Sequence, residues 1–421
     1  MVAGTIIGAS IFVQPSEIAR HLDSPAAIML AWVACGVLTL FGAFICAELA
    51  SAFPQTGGVY VFLREAFSPL AGFLWGWAMF WSVHSGIIAA IAVVFARYAV
   101  VLLPDGAQGD LSVRVAAVTV ILALSAVNYV GVRAGGRLQT ALTVVKVAAI
   151  LVLVVAGLFA GGAPVPADPT TTGTGVTPFV LAMVAGLFAF GGWHMVTYTA
   201  GETMMPARTI PVALVVGVLV VTACYIALNL LYLRLLPLEA VRSSTRIAAD
   251  AADVIFGRGG AQLLSVLVLL SSAGSLTGII LTGPRMYYSM AQDGLAPRAL
   301  RYVHPRFQTP ARAILVQAAW ASLLAGTGAY RQLFTRVVYT EWLFFALMAA
   351  GLFVLRRRPG YRPLYRTWGY PAVPLVFIAA SLFIVVHQFT ADPGEAAIGL
   401  GLVAIGAPVY YYLRHAHHRL P

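Results

Sequence analysis

Gly4-Thr5-Ile6-Ile7-Gly8-Ala9-Ser10-Ile11-Phe12 interrupts an apolar run that otherwise reads as a membrane-spanning helix. Glycine in a helix interior costs about 1 kcal/mol relative to alanine, and here two glycines flank a Thr-Ile-Ile run that forms helix poorly. A break facing lipid would strand N–H and C=O groups with no water to meet them, so it survives only where protein, water or a ligand does. A second break, Phe188-Ala189-Phe190-Gly191-Gly192-Trp193-His194, sits mid-way along a later apolar segment. Small residues also let membrane helices pack closely. Two Gly-interrupted segments at matching places in two halves of a chain point further, to a transporter's substrate site.

Composition fixes the class. Of 421 residues, 60% are hydrophobic and 10% charged, with a mean hydropathy of +0.88. Soluble domains carry about 25% charged residues, so this chain cannot clothe a soluble globule. Many runs reach the roughly 20 residues needed to cross hydrocarbon, and the alternating strands of an outer-membrane barrel are missing from the pattern. The net charge of +11 is therefore read for orientation, not for nucleic acid. Cys35, Cys46 and Cys224 lie in apolar spans and suggest packing, not a disulfide framework. No basic segment precedes a cleavage site, so a removable signal peptide is not expected.

The punctuation predicts about twelve spans, near 1–22, 25–52, 68–103, 112–131, 137–161, 177–203, 210–236, 258–292, 311–330, 334–355, 371–389 and 395–414. An even count puts both termini on one side. Sixteen of the 26 Lys and Arg fall on that side, including Arg356-Arg357-Arg358 in a short loop and Arg419 in the tail. The other side holds nine, among them Arg258, Arg331 and Arg336. The positive-inside rule then predicts cytoplasmic N- and C-termini in the cytoplasmic (inner) membrane. The longest polar connections, 162–176, 237–257 and 293–310, are too short for a soluble domain. His415, His417 and His418 sit in a basic tail that reads as a surface anchor. Neither metal-ligand spacing nor a phosphate-binding P-loop is seen, and no cofactor is expected.

Five blocks in order carry a resemblance along nearly the whole chain. VAGTIIGASIF (2–12) is similar to a family VGTIIGSGIF motif; Glu48-Leu49 with Phe53-Pro54-Gln55-Thr56-Gly57-Gly58-Val59-Tyr60 follows an E-L-x-x-x-F-P-x-x-G-G-x-Y pattern. GLFAFGGWHMVTYTAGETMMPARTIP (186–211), Ser272 to Pro297, and LRRRPGYRPLYRTWGYPAVPLVF (355–377) complete the set. The chain resembles the amino acid/polyamine/organocation superfamily, especially bacterial amino acid permeases and L-type amino acid transporters. The resemblance implies an all-α polytopic protein of LeuT type: 1–161 and 162–355 as inverted repeats of five helices, with helices 1 and 6 unwound, and 356–421 holding two more helices and the basic tail. It also implies a longer first helix than this one, so the first repeat is expected to be truncated at its N-terminus.

Physical reasoning gives the same site. A broken helix offers the positive end of its second half to an anion and free carbonyls of its first half to a cation. A zwitterionic amino acid presents both charges on adjacent atoms. At positions matching the family motif, the carboxylate is expected at the amides of Ala9, Ser10 and Ile11, beside Gly8. The ammonium is expected at the carbonyls of Ile6, Ile7, Phe188 and Gly191. Phe188 matches an aromatic gate. Gly8-Ala9-Ser10 departs from the family's Gly-Ser-Gly: a hydroxyl is lost at Ala9, and Ser10 adds a side chain that either donates a hydrogen bond or narrows the pocket.

Lys146 is the only lysine, and it lies mid-helix. An intramembrane ionisable residue is a functional candidate by default. The resemblance places it where sodium-coupled relatives hold Na⁺, so transport is expected to be sodium-independent, with Lys146 a candidate proton carrier. The alternatives are a snorkelling lysine or a fixed charge holding helices together in an exchanger. His194 is a candidate proton sensor or relay, or a structural histidine; His84 is weaker. Glu48 and Glu341 lie within spans and are expected to pair or hydrogen-bond internally; Glu48 reads as structural and Glu341 has no assigned role. Glu202 and Arg208 are expected to close the sixth helix as gate or cap groups.

The reading that follows is a secondary carrier of neutral L-amino acids, not an enzyme, with proton symport preferred over exchange. The two breaks contain no acidic residue to hold a cationic side chain or polyamine, which argues against those substrates; the alternatives are an exchanger or a polyamine or organocation carrier of the same fold. Residues 104–114 lack the cysteine that tethers a glycoprotein partner in L-type exchangers, so no disulfide-linked subunit is expected. Substrate, protons and the lipid bilayer are the anticipated partners.

Overall fold

The computed structural model describes residues 1–100, 109–160, 175–244, 246–257 and 259–418, without the side chains of 261, 330–338 and 416–418. Among these residues every regular element is helical. The order is α1 (Val2–Ile6), a 3₁₀ turn (Ala9–Phe12), α2 (Gln14–His21), α3 (Pro25–Ala52), α4 (Val59–Ala66) and α5 (Pro69–Ala78). A π turn (Met79–Val83) joins α5 to α6 (His84–Val100); α7 (Asp110–Val130), α8 (Val132–Phe159) and α9 (Val176–Ala189) follow. A ten-residue 3₁₀ stretch (Trp193–Glu202) leads into α10 (Pro206–Leu235), α11 (Leu238–Ser243), α12 (Ile247–Phe256) and α13 (Gly260–Gln292). After a short 3₁₀ turn (Arg298–Arg301) come α14 (Ala311–Thr327), α15 (Tyr330–Arg356), α16 (Ala372–Ala391), α17 (Pro393–Ala404) and α18 (Gly406–His418).

Local chemistry sets several starts. Ser24 and Ser68 accept the amides of Ala27 and Ala71 with proline at the first helical position; Asp392 does the same for Glu395 ahead of Pro393. Among the described residues ten helices are long and apolar enough to cross a membrane. The segments read at 1–22 and 311–330 are not among them: the first is two short helices about a turn, the second is the 17-residue α14. The last span, read at 395–414, is divided into α17 and α18. The connection read as polar at 237–257 folds into α11 and α12, with Ala248, Ala249, Ala251 and Ala252 buried. The connection at 162–176 falls mostly outside the described residues, as do Arg258 and Arg419; the side chains of Arg331, Arg336, His417 and His418 are likewise not described.

Helix α13 is the axis of the core, packed against α1, α6, α7, α8 and α12. α3 runs along α10, close enough that a Cβ at Gly36 would overlap Thr222. Glu48, fully buried in α3, is tied by Arg356 Nε and Nη2 (2.8 and 2.6 Å) and by the Thr367 amide (2.6 Å). The structural role expected of Glu48 thus has its partners. Glutamine there offers one acceptor oxygen where the carboxylate offers two. Hydrogen bonds to charged groups are worth about 1.5–3 kcal/mol each, so Glu48→Gln is expected to destabilise by about that much. A lowered unfolding midpoint in detergent, with transport retained, is the measurement that checks this.

Candidate functional site

α1 ends at Ile6, and Ile7 and Gly8 are extended (φ −68°, ψ 95°; φ −119°, ψ −161°) before the 3₁₀ turn begins. The break frees the last carbonyls of α1, and protein donors meet them. Lys146, fully buried on α8, donates from Nζ to Gly4 O (2.8 Å), Ile7 O (2.6 Å) and Ser271 O (3.3 Å). Ser275 Oγ also donates to Ile7 O (2.9 Å). An ammonium has three N–H donors and no acceptor, and here all three reach carbonyls. A cation at a helix C-terminus is also favoured by the macrodipole.

The second break is built differently. α9 ends at Ala189, Gly191 N donates to Phe188 O (3.2 Å), and Gly192 turns the chain with φ +90°. Only glycine takes that conformation without strain. The chain continues as a ten-residue 3₁₀ stretch, well beyond the three or four residues usual for this geometry. The two breaks share one clasp: the Tyr225 hydroxyl on α10 lies 3.2 Å from Ile6 O and 3.0 Å from Ala189 O.

Between the breaks is a cavity of about 410 Å³, within the range of small-molecule sites. Ile6, Gly8, Ala9 and Ser10 line it from the first break, Phe188 and Gly191 from the second. Phe188 is 43% exposed, its ring standing in the cavity wall. Ile7 and Ile11 are fully buried and lie behind the wall. The substrate ammonium was expected at the Ile6 and Ile7 carbonyls; in this conformation Tyr225, Lys146 and Ser275 already occupy them. In the second break Phe188 O already accepts Gly191 N–H (3.2 Å) and Ala189 O accepts the Tyr225 hydroxyl (3.0 Å).

Other candidates fall outside the wall. His194 is fully buried among the rings of Trp75, Trp193, Tyr198 and Phe345, at centroid distances of 5.1 to 5.6 Å. Its polar neighbour is Glu341, with Nε2 3.9 Å from Oε1. Glu202 pairs with Arg285 of α13 (2.7 Å), a helix far along the sequence, where the sequence had grouped it with Arg208. Tyr60 donates to Asp293 (2.5 Å), which also pairs with Arg64, closing α4 onto the end of α13.

One expectation is corrected. The breaks themselves contain no acidic residue, but the cavity does: Glu341 of α15 lines it with Trp342 and Phe345. Sequence reasoning missed this because α15 carries no break. The available signal was a carboxylate within an apolar span. Ser271, Ser275 and Tyr225 were missed for the same reason; hydroxyls on unbroken helices look like ordinary packing until the break they serve is placed.

Comparison with known proteins bears on this geometry. The family described as "Amino acid permease" matches residues 1–407. The serine/threonine exchanger SteT of Bacillus subtilis (strain 168) is 31% identical over 98% of this chain and 94% of its own length. The human cystine/glutamate transporter is 29% identical over 98% of this chain and 83% of its own. The mouse large neutral amino acids transporter small subunit 2 is 28% identical over all of this chain and 80% of its own.

Proposed function

The chain belongs to the amino acid permease family and carries amino acids across a membrane; from that premise we propose an exchanger of small, uncharged L-amino acids that binds them between the two helix breaks. The observation that carries this is a single cavity lined by both breaks. The 3₁₀ turn after Gly8 opens with amides that have no intrahelical partner, a setting suited to a carboxylate. The Gly191 carbonyl, and the second lone pair of Phe188 O beside its bond from Gly191 N–H, suit the α-ammonium. Ile87, Leu187, Ile279 and Ile384 give the substrate side chain an apolar wall.

Exchange is preferred here over the proton symport anticipated from the sequence. A lysine whose three donors all hold carbonyls suits a fixed charge better than a proton shuttle. The same ammonium occupies carbonyls that a sodium ion would need, in keeping with sodium independence. A relative of similar length is named an exchanger. All three cysteines are buried in apolar helices, which favours a carrier without a disulfide-linked subunit. The arginine distribution supports cytoplasmic termini.

Purified protein in proteoliposomes tests the reading. Labelled serine or leucine is expected to enter vesicles loaded with unlabelled amino acid and not empty ones, regardless of sodium or a pH gradient. Uptake into empty vesicles driven by an inward proton gradient would restore symport.

A further inference from the structure

We propose that Glu341 is a specificity-determining residue that pairs its carboxylate with a second, cationic group on the substrate side chain, so that amino acids of the lysine and ornithine class are carried beside uncharged ones. This rests on the amino acid carrier reading and adds a substrate class to it. Glu341 is 8% exposed and lines the cavity, whose wall also includes the aromatic rings of Trp342 and Phe345 and the aliphatic side chains of Ile87 and Ile91. A carboxylate in such a low-dielectric wall needs a cation or a proton.

Three cations of the bundle are committed elsewhere, and His387 of α16 lines the same cavity as Glu341. Lys146 holds the end of α1, Arg285 pairs with Glu202, and Arg356 pairs with Glu48. His194, the polar neighbour of Glu341, stands 3.9 Å away, outside hydrogen-bond distance. Among the described residues lining the cavity, Glu341 is the one acidic side chain. It lies on α15, while the groups suited to the amino acid head lie on the two breaks. A substrate anchored by its α-carboxylate and α-ammonium therefore directs its side chain across the cavity. A terminal ammonium arriving at Glu341 also meets aromatic faces, which attract cations in their own right. An uncharged side chain leaves the carboxylate to a proton.

The test compares wild type with Glu341→Gln, in full-length protein reconstituted into vesicles loaded with unlabelled substrate. Labelled lysine and labelled leucine are each followed. Wild type is expected to carry both. Glu341→Gln is expected to lose lysine transport by about 30-fold, the scale for removing one partner of a desolvated charge pair, and to lose leucine transport by much less. Leucine uptake without lysine uptake in wild type, or equal loss of both in the variant, overturns the proposal and leaves the carrier reading standing. Failure of wild type to carry either overturns both. Competition on wild type needs no variant: lysine is expected to displace labelled leucine better than norleucine, its uncharged isostere, and the reverse order overturns the proposal.

Discussion

Replacing Lys146 by alanine is expected to abolish exchange itself, and not merely its response to pH. The ammonium ties α8 to the end of α1 and to α13 through three carbonyls. Alanine leaves Gly4 O without this donor in a buried, water-poor setting, and Ile7 O with serine hydroxyls alone. Hydrogen bonds to charged groups are worth about 1.5–3 kcal/mol each. Of the three bonds lost, the two shorter alone amount to about 3 kcal/mol or more, or a fall in transport of about 100-fold at 1.4 kcal/mol per decade. The measurement is exchange of labelled substrate in loaded proteoliposomes, alongside the unfolding midpoint. Arginine should not rescue, because its planar fork cannot reproduce the three-way geometry of an ammonium. Retained counterflow with lost pH-driven uptake would make Lys146 a proton carrier instead of a strut.

The second large effect is expected at Gly192. Its φ of +90° places it in the left-handed region, where an L-residue costs roughly 1–2 kcal/mol and a β-branched one more. A Cβ there would also stand 3.0 Å from Thr5 Cγ2, so the side chain of Gly192→Val would press directly on α1. The two breaks would be wedged apart and the cavity between them would lose its shape. Transport is expected to fall by at least about 30-fold, from strain and displacement of about 2 kcal/mol together. Helical content by circular dichroism should stay near that of wild type. Alanine at the same position is expected to do less harm, since it keeps the strain and reduces the wedge. Full activity in the valine variant would show that the spacing of the breaks does not matter.

What could be read beforehand follows a pattern. Length and apolarity announced most of the spans, and glycine spacing announced both breaks, because each signal is local: a helix either has the residues to cross a bilayer or lacks them. α11 and α12 escaped because Glu239, Arg242, Arg246 and Asp250 mask a small apolar face that only shows once Ala248, Ala249 and Ala252 are buried. Partner choice was also invisible. Glu202 has Arg208 six residues away, yet it meets Arg285, which is distant in the sequence. The cavity lining was legible where it came from the breaks, as with Ser10 and Phe188, and illegible where unbroken helices supply it, as with Glu341 and Ser275.

The 3₁₀ stretch from Trp193 to Glu202 stores length. Ten residues at about 2.0 Å rise each extend about 20 Å, whereas the same residues coiled as α-helix would extend about 15 Å. Rewinding would draw the far end in by about one helical pitch, like a spring relaxing along its own axis. That far end carries Glu202, so the stroke would tug on its bond to Arg285 and hence on α13, the longest of the described helices.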